Sequence, residues 1–98
     1  MSKSDGKRWV REVPHEPLRY HVESWRSRDP YLVDLTENQG NGECNCADFI
    51  TRRNIAIRDG AELFSDKTMC VHIKACRRHF VNTTLRAMAH HLNPPEKK

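Results

Sequence analysis

The fold of this chain depends on two short stretches, Cys44-Asn45-Cys46 and Cys70-Val71-His72, which are separated by 23 residues. Three thiols and one imidazole form a donor set that Zn²⁺ prefers, at metal–ligand distances of ~2.0–2.3 Å. The backbone keeps the two ligands of each stretch close, so only one long loop must close, and its entropic cost grows slowly with length. The spacing therefore predicts one tetrahedral site formed by Cys44, Cys46, Cys70 and His72.

The residues before the first cysteine pair alternate in polarity as strands do. One strand is predicted over residues 18–27, with Tyr20 and Val22 on its inner face. A second is predicted over residues 31–36, with Asp34 on its outer face. An Arg-Asp-Pro turn lies between them, so the two strands are expected to pair as an antiparallel hairpin. The turn-rich segment that follows leads to the first cysteine pair, which could itself add a short strand.

The residues after the first cysteine pair favour helices. Asp48 is a candidate N-cap for a short helix over residues 49–55, and Thr68 for a long helix that Pro94 ends. Two neighbouring apolar rows run along the long helix at three- and four-residue steps. They consist of Ile73, Cys76, Phe80, Thr84 and Ala87, and of Val81, Leu85, Met88 and Leu92. The predicted fold class is α+β: a small zinc-stapled ββα domain whose hairpin packs on the long C-terminal helix.

The length of 98 residues allows one domain at most. Residues 1–17 are predicted to be a partly disordered N-terminal arm and residues 93–98 a disordered tail. Residues 18–92 form the predicted zinc-binding domain, in which residues 51–67 are an insertion between the two ligand pairs. A chain of this size buries a small core and usually needs a metal, disulfides or a partner. The four cysteines of the sequence can supply the metal site.

Several functional classes are not expected from this sequence. It has no run of 18 or more apolar residues and no apolar secretory leader near Met1, so we expect neither a membrane association nor secretion. A cytoplasmic, nucleoid or nuclear location follows, where cysteines stay reduced and more often bind metal. The chain also lacks a glycine-rich phosphate loop and a Ser/His/Asp signature. We therefore expect no enzyme activity and no small-molecule substrate.

The ligand pattern and its surroundings resemble the SWIM zinc finger. The order of a hairpin, C-x-C, C-x-H and a helix matches that family over residues 19–88, and Cys46-Ala47-Asp48-Phe49 resembles its C-x-D-F step. Two features depart from the family pattern: Val71 stands where a lysine is common, and the insertion is long. The resemblance implies a ββα fold with one structural zinc held by Cys44, Cys46, Cys70 and His72. It also implies a module that binds nucleic acid or other proteins.

Charge is unevenly distributed, with a net charge of +3 over residues 1–28, −5 over residues 29–66 and +6 over residues 67–98. The basic C-terminal third suits contacts with nucleic-acid phosphates, with little base selectivity. The acidic middle third would repel phosphate and favours a protein–protein adaptor, for example a subunit of a larger nucleic-acid-processing complex. Nucleic-acid binding is the first hypothesis and the adaptor is the alternative. The candidate phosphate contacts are Lys67, Lys74, Arg77, Arg78, Arg86, Arg52 and Arg53.

Three interpretations remain open at this stage. Cys76 is a possible rival ligand, although its place on an apolar row favours a core position. Trp9 and Trp25 lie beside arginines, so they could pack in the core, clamp the arm or stack on bases. A redox or metallochaperone role for the C-x-C pair would need exposed thiols, and the C-x-H pair argues against it.

Overall fold

The computed structural model describes residues 8–92 and shows an antiparallel sheet packed against a long helix. The strands lie in the sheet in chain order: β1 Val10–Glu12, β2 Arg19–Val22, β3 Tyr31–Asp34 and β4 Glu43–Cys44. The helices of this range are α1 Asn54–Arg58, which continues a π-helical segment Phe49–Arg53, and α2 Val71–Leu92. This confirms the predicted α+β class. The disorder predicted for residues 93–98, and for residues 1–7 of the arm, lies outside the described range.

The predicted hairpin forms between β2 and β3, with Tyr20 opposite Val33. Tyr20, Val22 and Val33 are all buried, as the alternation of polar and apolar residues predicts. β2 is shorter than predicted at both ends. Leu18 has a φ of 64°, which excludes it from extended structure. After β2, Ser24 Oγ accepts hydrogen bonds from two backbone N–H groups of the following turn.

The N-terminal arm contributes a strand that the sequence did not predict. β1 pairs antiparallel with β2, with Val10 opposite Val22. Pro14 and Pro17 lie between the two strands, where the missing N–H groups of proline do not interrupt the ladder. Part of residues 1–17 therefore belongs to the sheet.

Asp34 departs from the predicted alternation, because it lies on the outer face and is still only 7 % exposed. It borders a groove shared with Phe49 and Ile50 of the π-helical segment. The Thr36 hydroxyl and Arg19 Nε donate hydrogen bonds to its carboxylate at 2.6 and 3.0 Å. Burial alone would raise the pKa of Asp34, but these hydrogen bonds outweigh it and hold the pKa below its usual value.

The helical segment after the first cysteine pair starts where predicted and extends to Arg58. Asp48 does not cap it. Its backbone is already helical and its side chain makes no cap hydrogen bond. The carboxylate instead accepts a hydrogen bond from Arg53 Nε at 2.9 Å. The first part of the insertion, residues 51–58, is thus helical.

Helix α2 begins two residues later than a Thr68 N-cap would require. Thr68 is the buried residue of a 3₁₀ turn, Asp66–Thr68, and the carbonyl of Cys70 accepts the first helical hydrogen bond, from Lys74 N–H. Cys70 is therefore the N-cap residue rather than a member of the first turn. Ile73 and Cys76, both fully buried, pack with the sheet residues in the core.

Candidate metal centre

The four predicted ligand residues converge in the structure. One donor atom from each of Cys44, Cys46, Cys70 and His72 lies within 4.8 Å of all the others, and all four residues are buried. Cys44 ends β4, Cys46 follows it, Cys70 caps α2 and His72 stands in the first turn. This cluster could coordinate one metal ion between the exit of the sheet and the start of the long helix.

The distances fit a tetrahedral ion. His72 Nδ1 lies 3.7 Å from Cys44 Sγ and 3.8 Å from Cys70 Sγ, so Nδ1 is the nitrogen directed at the cluster. A tetrahedron with metal–sulfur bonds of ~2.3 Å and a metal–nitrogen bond of ~2.0 Å has sulfur–nitrogen edges of about 3.5 Å. The observed separations are within a few tenths of an ångström of that value. None of the four cysteines of the chain forms a disulfide, which leaves the sulfurs available as ligands.

Backbone groups support two of the sulfurs. Phe49 N–H donates to Cys46 Sγ at 3.3 Å. The Ile73 N–H also donates a hydrogen bond to Cys70, as suits an N-cap position. Hydrogen bonds with Cys44 and with this N–H lower the pKa of the Cys70 thiol, but its hydrogen bond with Cys46 and its burial outweigh them and raise the pKa to about 11. Asn45, between the first two cysteines, accepts a hydrogen bond from Leu32 N–H through its side-chain oxygen at 3.0 Å. The C-x-C turn is thereby fastened to β3, and its sulfurs face the cluster.

The electrostatics of the cluster call for a cation. Hydrogen bonds from Cys44 and Cys70 hold the pKa of Cys46 far below its ordinary value. The pKa of Cys44 is raised strongly, because Cys44 forms a hydrogen bond with Cys46 and is buried. Three thiolates at this separation would repel one another, because buried like charges are poorly screened. A bound divalent cation would allow all three sulfurs to ionise.

A buried amide joins the two halves of the cluster. Asn41 is fully buried, and its Oδ1 accepts hydrogen bonds from Thr68 Oγ1 at 2.9 Å and from the backbone N–H of Phe64. Its Nδ2 donates to the carbonyl of Thr68 at 3.0 Å. Asn41 precedes Cys44 by three residues and Thr68 precedes Cys70 by two, so these bonds set the distance between the ligand pairs. Asn41 belongs to the turn-rich segment before the first cysteine pair, and its residue type alone gives no sign of this role.

Gly42 allows the close approach of the turn to α2. Its φ is +101°, and a Cβ at this position would lie 3.2 Å from Leu35 Cδ2 and 3.3 Å from Ile73 Cγ2. A side chain would therefore be strained by the backbone and crowded by the core.

Tyr31 packs against His72 of the second ligand pair, with the two ring centroids 4.3 Å apart. The imidazole is thus held in place by contacts outside the metal cluster.

Cys76 does not join the metal cluster. It is fully buried among the core residues contributed by α2 and the sheet, and it is not among the described residues whose donor atoms converge. Burial raises the pKa of its thiol to about 12. The core position favoured by the sequence is therefore confirmed.

Three of the seven basic residues predicted to contact phosphate are held by polar contacts of 3.0 Å or shorter within the chain. Lys74 Nζ lies 3.0 Å from Asp66 Oδ1. Arg77 donates to the Gly40 carbonyl at 3.0 Å and lies over the Phe64 ring at 5.0 Å. Arg53, already paired with Asp48, also donates to the Asp66 carbonyl. These contacts fasten the insertion and the turn before Cys44 to α2.

The other four basic residues are exposed. Arg52 forms only a 3.9 Å ion pair with Asp48. Within residues 8–92, Lys67, Arg78 and Arg86 form no ion pair or side-chain hydrogen bond. Their charges are available to a partner, whereas Lys74, Arg77 and Arg53 are partly neutralised or held in place.

Comparison with protein-family models, with curated proteins and with solved structures finds no match. None of the helices in the described range combines the length and the apolar content needed to cross a bilayer.

Proposed function

We propose that this chain is a small structural-zinc module of the SWIM type that binds nucleic-acid backbones. The observation that carries the zinc assignment is the buried cluster of three sulfurs and His72 Nδ1. Thiolate and imidazole donors in tetrahedral arrangement favour Zn²⁺ over hard cations. Four protein ligands leave no open coordination position, which suits a structural ion and not a catalytic one. The order of hairpin, C-x-C, insertion, C-x-H and helix supports the SWIM assignment.

The nucleic-acid assignment is supported by charge. Residues 67–98 carry a net charge of +6, and Lys67, Arg78 and Arg86 are exposed without partners among the described residues. When exposed cations of this kind contact phosphates, counterions are released from the nucleic acid, which makes binding strongly dependent on salt. Contacts of this type position a strand and carry no base sequence information.

Two measurements test this proposal. Metal analysis with thiol counting on the purified protein is expected to find one zinc and no disulfide. Fluorescence anisotropy with short single- and double-stranded probes is expected to detect binding that weakens as salt is raised. The double variant Arg78→Glu/Arg86→Glu is expected to bind weakly and to keep its zinc. The control variant Arg58→Glu removes an equally exposed charge from α1 and is expected to bind like the wild type.

A protein-partner function is the second candidate, and one observation favours it. Val81, Leu85 and Met88 form a row along α2 and are each about half exposed. Apolar residues at this spacing often pack against another helix. If no probe binds at low salt and the metal content is normal, the nucleic-acid proposal fails. The adaptor function then predicts that Leu85→Lys abolishes partner binding without loss of zinc.

A further inference from the structure

A small cavity with basic walls lies away from the metal cluster, between the start of β1 and the first half of α2. Its volume is about 170 Å³. No acidic side chain of residues 8–92 lines it, although the chain as a whole carries 13 acidic residues. The lining residues are Arg8, Val10, Ala75, Arg78, His79 and Asn82. The polar groups that face this space are therefore mainly hydrogen-bond donors.

Arg8 lines this cavity and has two donor atoms without a partner. Its Nε and Nη1 atoms are buried and have no hydrogen-bond partner within the described range. The guanidinium carbon lies 3.7 Å from the centroid of the Trp25 ring, a cation–π contact that fixes the plane of the group. A buried charge without an acceptor is costly, because the water it has lost is not replaced. The Arg8 guanidinium is thus a donor held in a fixed position without an acceptor.

The opposite wall comes from α2. Arg78 and Asn82 are four residues apart, so they lie on one side of the helix. Arg78 has no ion pair with another described residue. His79 Nε2 is 3.8 Å from Glu12 Oε2, so this imidazole already has an acidic neighbour. The two arginines and the amide are the groups left to bind a ligand.

We propose that this cavity binds a phosphate group of a nucleic-acid strand, an inference that rests on the proposed nucleic-acid function. Guanidinium forks match the oxygens of a phosphate and can bind it from two sides. Trp25 favours a nucleic-acid strand over other phosphate-bearing ligands, because this residue is 51 % exposed although Arg8 lies over its ring. An exposed indole beside a phosphate site can stack on the adjoining base. Of the residues that line this cavity, the sequence alone predicted only Arg78 as a phosphate contact.

The first test uses inorganic phosphate on the zinc-loaded full chain. The Trp9→Phe variant leaves Trp25 as the only tryptophan, because the sequence contains two. Titration with sodium phosphate at constant ionic strength is expected to change Trp25 emission in a saturable way. Arg8→Gln and Arg78→Gln are each expected to weaken this binding about tenfold or more, and the control Arg28→Gln to leave it unchanged. A linear response without saturation, or a saturable response that both variants keep, overturns the proposal.

The second test uses a short single-stranded oligonucleotide and the same variants. If the strand places a phosphate in the cavity, Arg8→Gln weakens binding while zinc content and helix signal stay at the wild-type level. If Arg78→Glu/Arg86→Glu abolishes binding and Arg8→Gln has no effect, the cavity proposal fails and the proposed function stands. If phosphate binds in the cavity and no oligonucleotide binds, the nucleic-acid assignment fails. A phosphopeptide would then be the ligand class to examine.

Discussion

Both halves of α2 carry apolar residues at helical spacing, but these residues are buried in one half and exposed in the other. In the first half, Ile73 and Cys76 are fully buried, and Cys70 and His72 join the metal cluster. In the second half, Val81 and Leu85 are 48 % and 57 % exposed. No glycine or proline interrupts the helix between these halves. Tertiary contacts, and not helix propensity, distinguish one half from the other.

This comparison shows where the stability of a small domain is located. An isolated helix of ~12–15 residues is marginal in water, because nucleation is costly. The first half of α2 overcomes that cost through the core and the ligand pair. The second half extends a helix that is already nucleated, and its apolar row remains available to a partner. The predictions below test this difference, beginning with the largest expected effect.

Removal of the metal is expected to unfold the first half of α2 and the sheet together. Zinc binding stabilises isolated finger peptides by ~10–16 kcal/mol, which is comparable with the whole stability of an ordinary domain. Chelation, or the variant Cys70→Ser, should therefore abolish the cooperative thermal transition and most of the helix signal in circular dichroism.

Cys76→Ala is the matched control for this experiment, because Cys76 is a buried cysteine outside the cluster. It is expected to keep one metal ion and to lose only about 1 kcal/mol, since a small core side chain is shortened. Unchanged helix content and thermal stability after complete chelation would contradict the structural role of the metal.

Truncation of one apolar residue in each half is expected to have unequal effects. Ile73→Ala should lower the free energy of unfolding by about 2–5 kcal/mol, because it leaves a cavity in the core. Leu85→Ala should change it by less than about 0.5 kcal/mol, because its side chain is mostly in solvent. Urea denaturation of both metal-loaded variants measures the difference. Equal losses would mean that the second half of α2 is buried against something in solution.

The Asn41 amide should stabilise the same folded unit as the first half of α2, the core and the metal cluster. Asn41→Ala is expected to lower the free energy of unfolding by about 1–3 kcal/mol, because Thr68 and Phe64 lose a buried hydrogen-bond partner. The affinity for zinc should fall as well, since the ligand pairs are no longer joined. Asn54→Ala is the control, as Asn54 makes no side-chain hydrogen bond within residues 8–92. Similar losses in both variants would argue against this role.

Glycine substitutions at two alanines give the smallest expected effect. Ala75→Gly lies in the buried half and should cost about 1 kcal/mol of global stability through helix propensity. Ala87→Gly lies in the exposed half and should reduce helix content near the end of α2 with almost no effect on global unfolding. Denaturation and circular dichroism together separate these outcomes. A global loss at Ala87 as large as that at Ala75 would show that the halves unfold as one unit.

Patterns that act over a few residues were predictable from the sequence. The period-two alternation around Tyr20 and Val33 predicted the hairpin, because a strand places alternate residues on one face. The absence of glycine and proline up to Pro94 predicted the long helix. The donor types and the close spacing within each pair predicted the convergence of the four ligands, because the backbone keeps each pair together. In the first two cases the determining residues are neighbours in the chain, and in the third the donor types predicted that two local pairs 23 residues apart would meet.

Contacts between distant segments were decided only by the tertiary structure. The pairing of β1 with β2, the burial of Asp34 beside Phe49, and the bonds from Asn41 to Thr68 each join separate elements. Arg77 is a further case. The sequence predicted that it contacts phosphate, but in the fold it donates a hydrogen bond to the Gly40 carbonyl. Residue type and local period specify which groups need a partner, and only the packing of whole elements determines which partner each group finds.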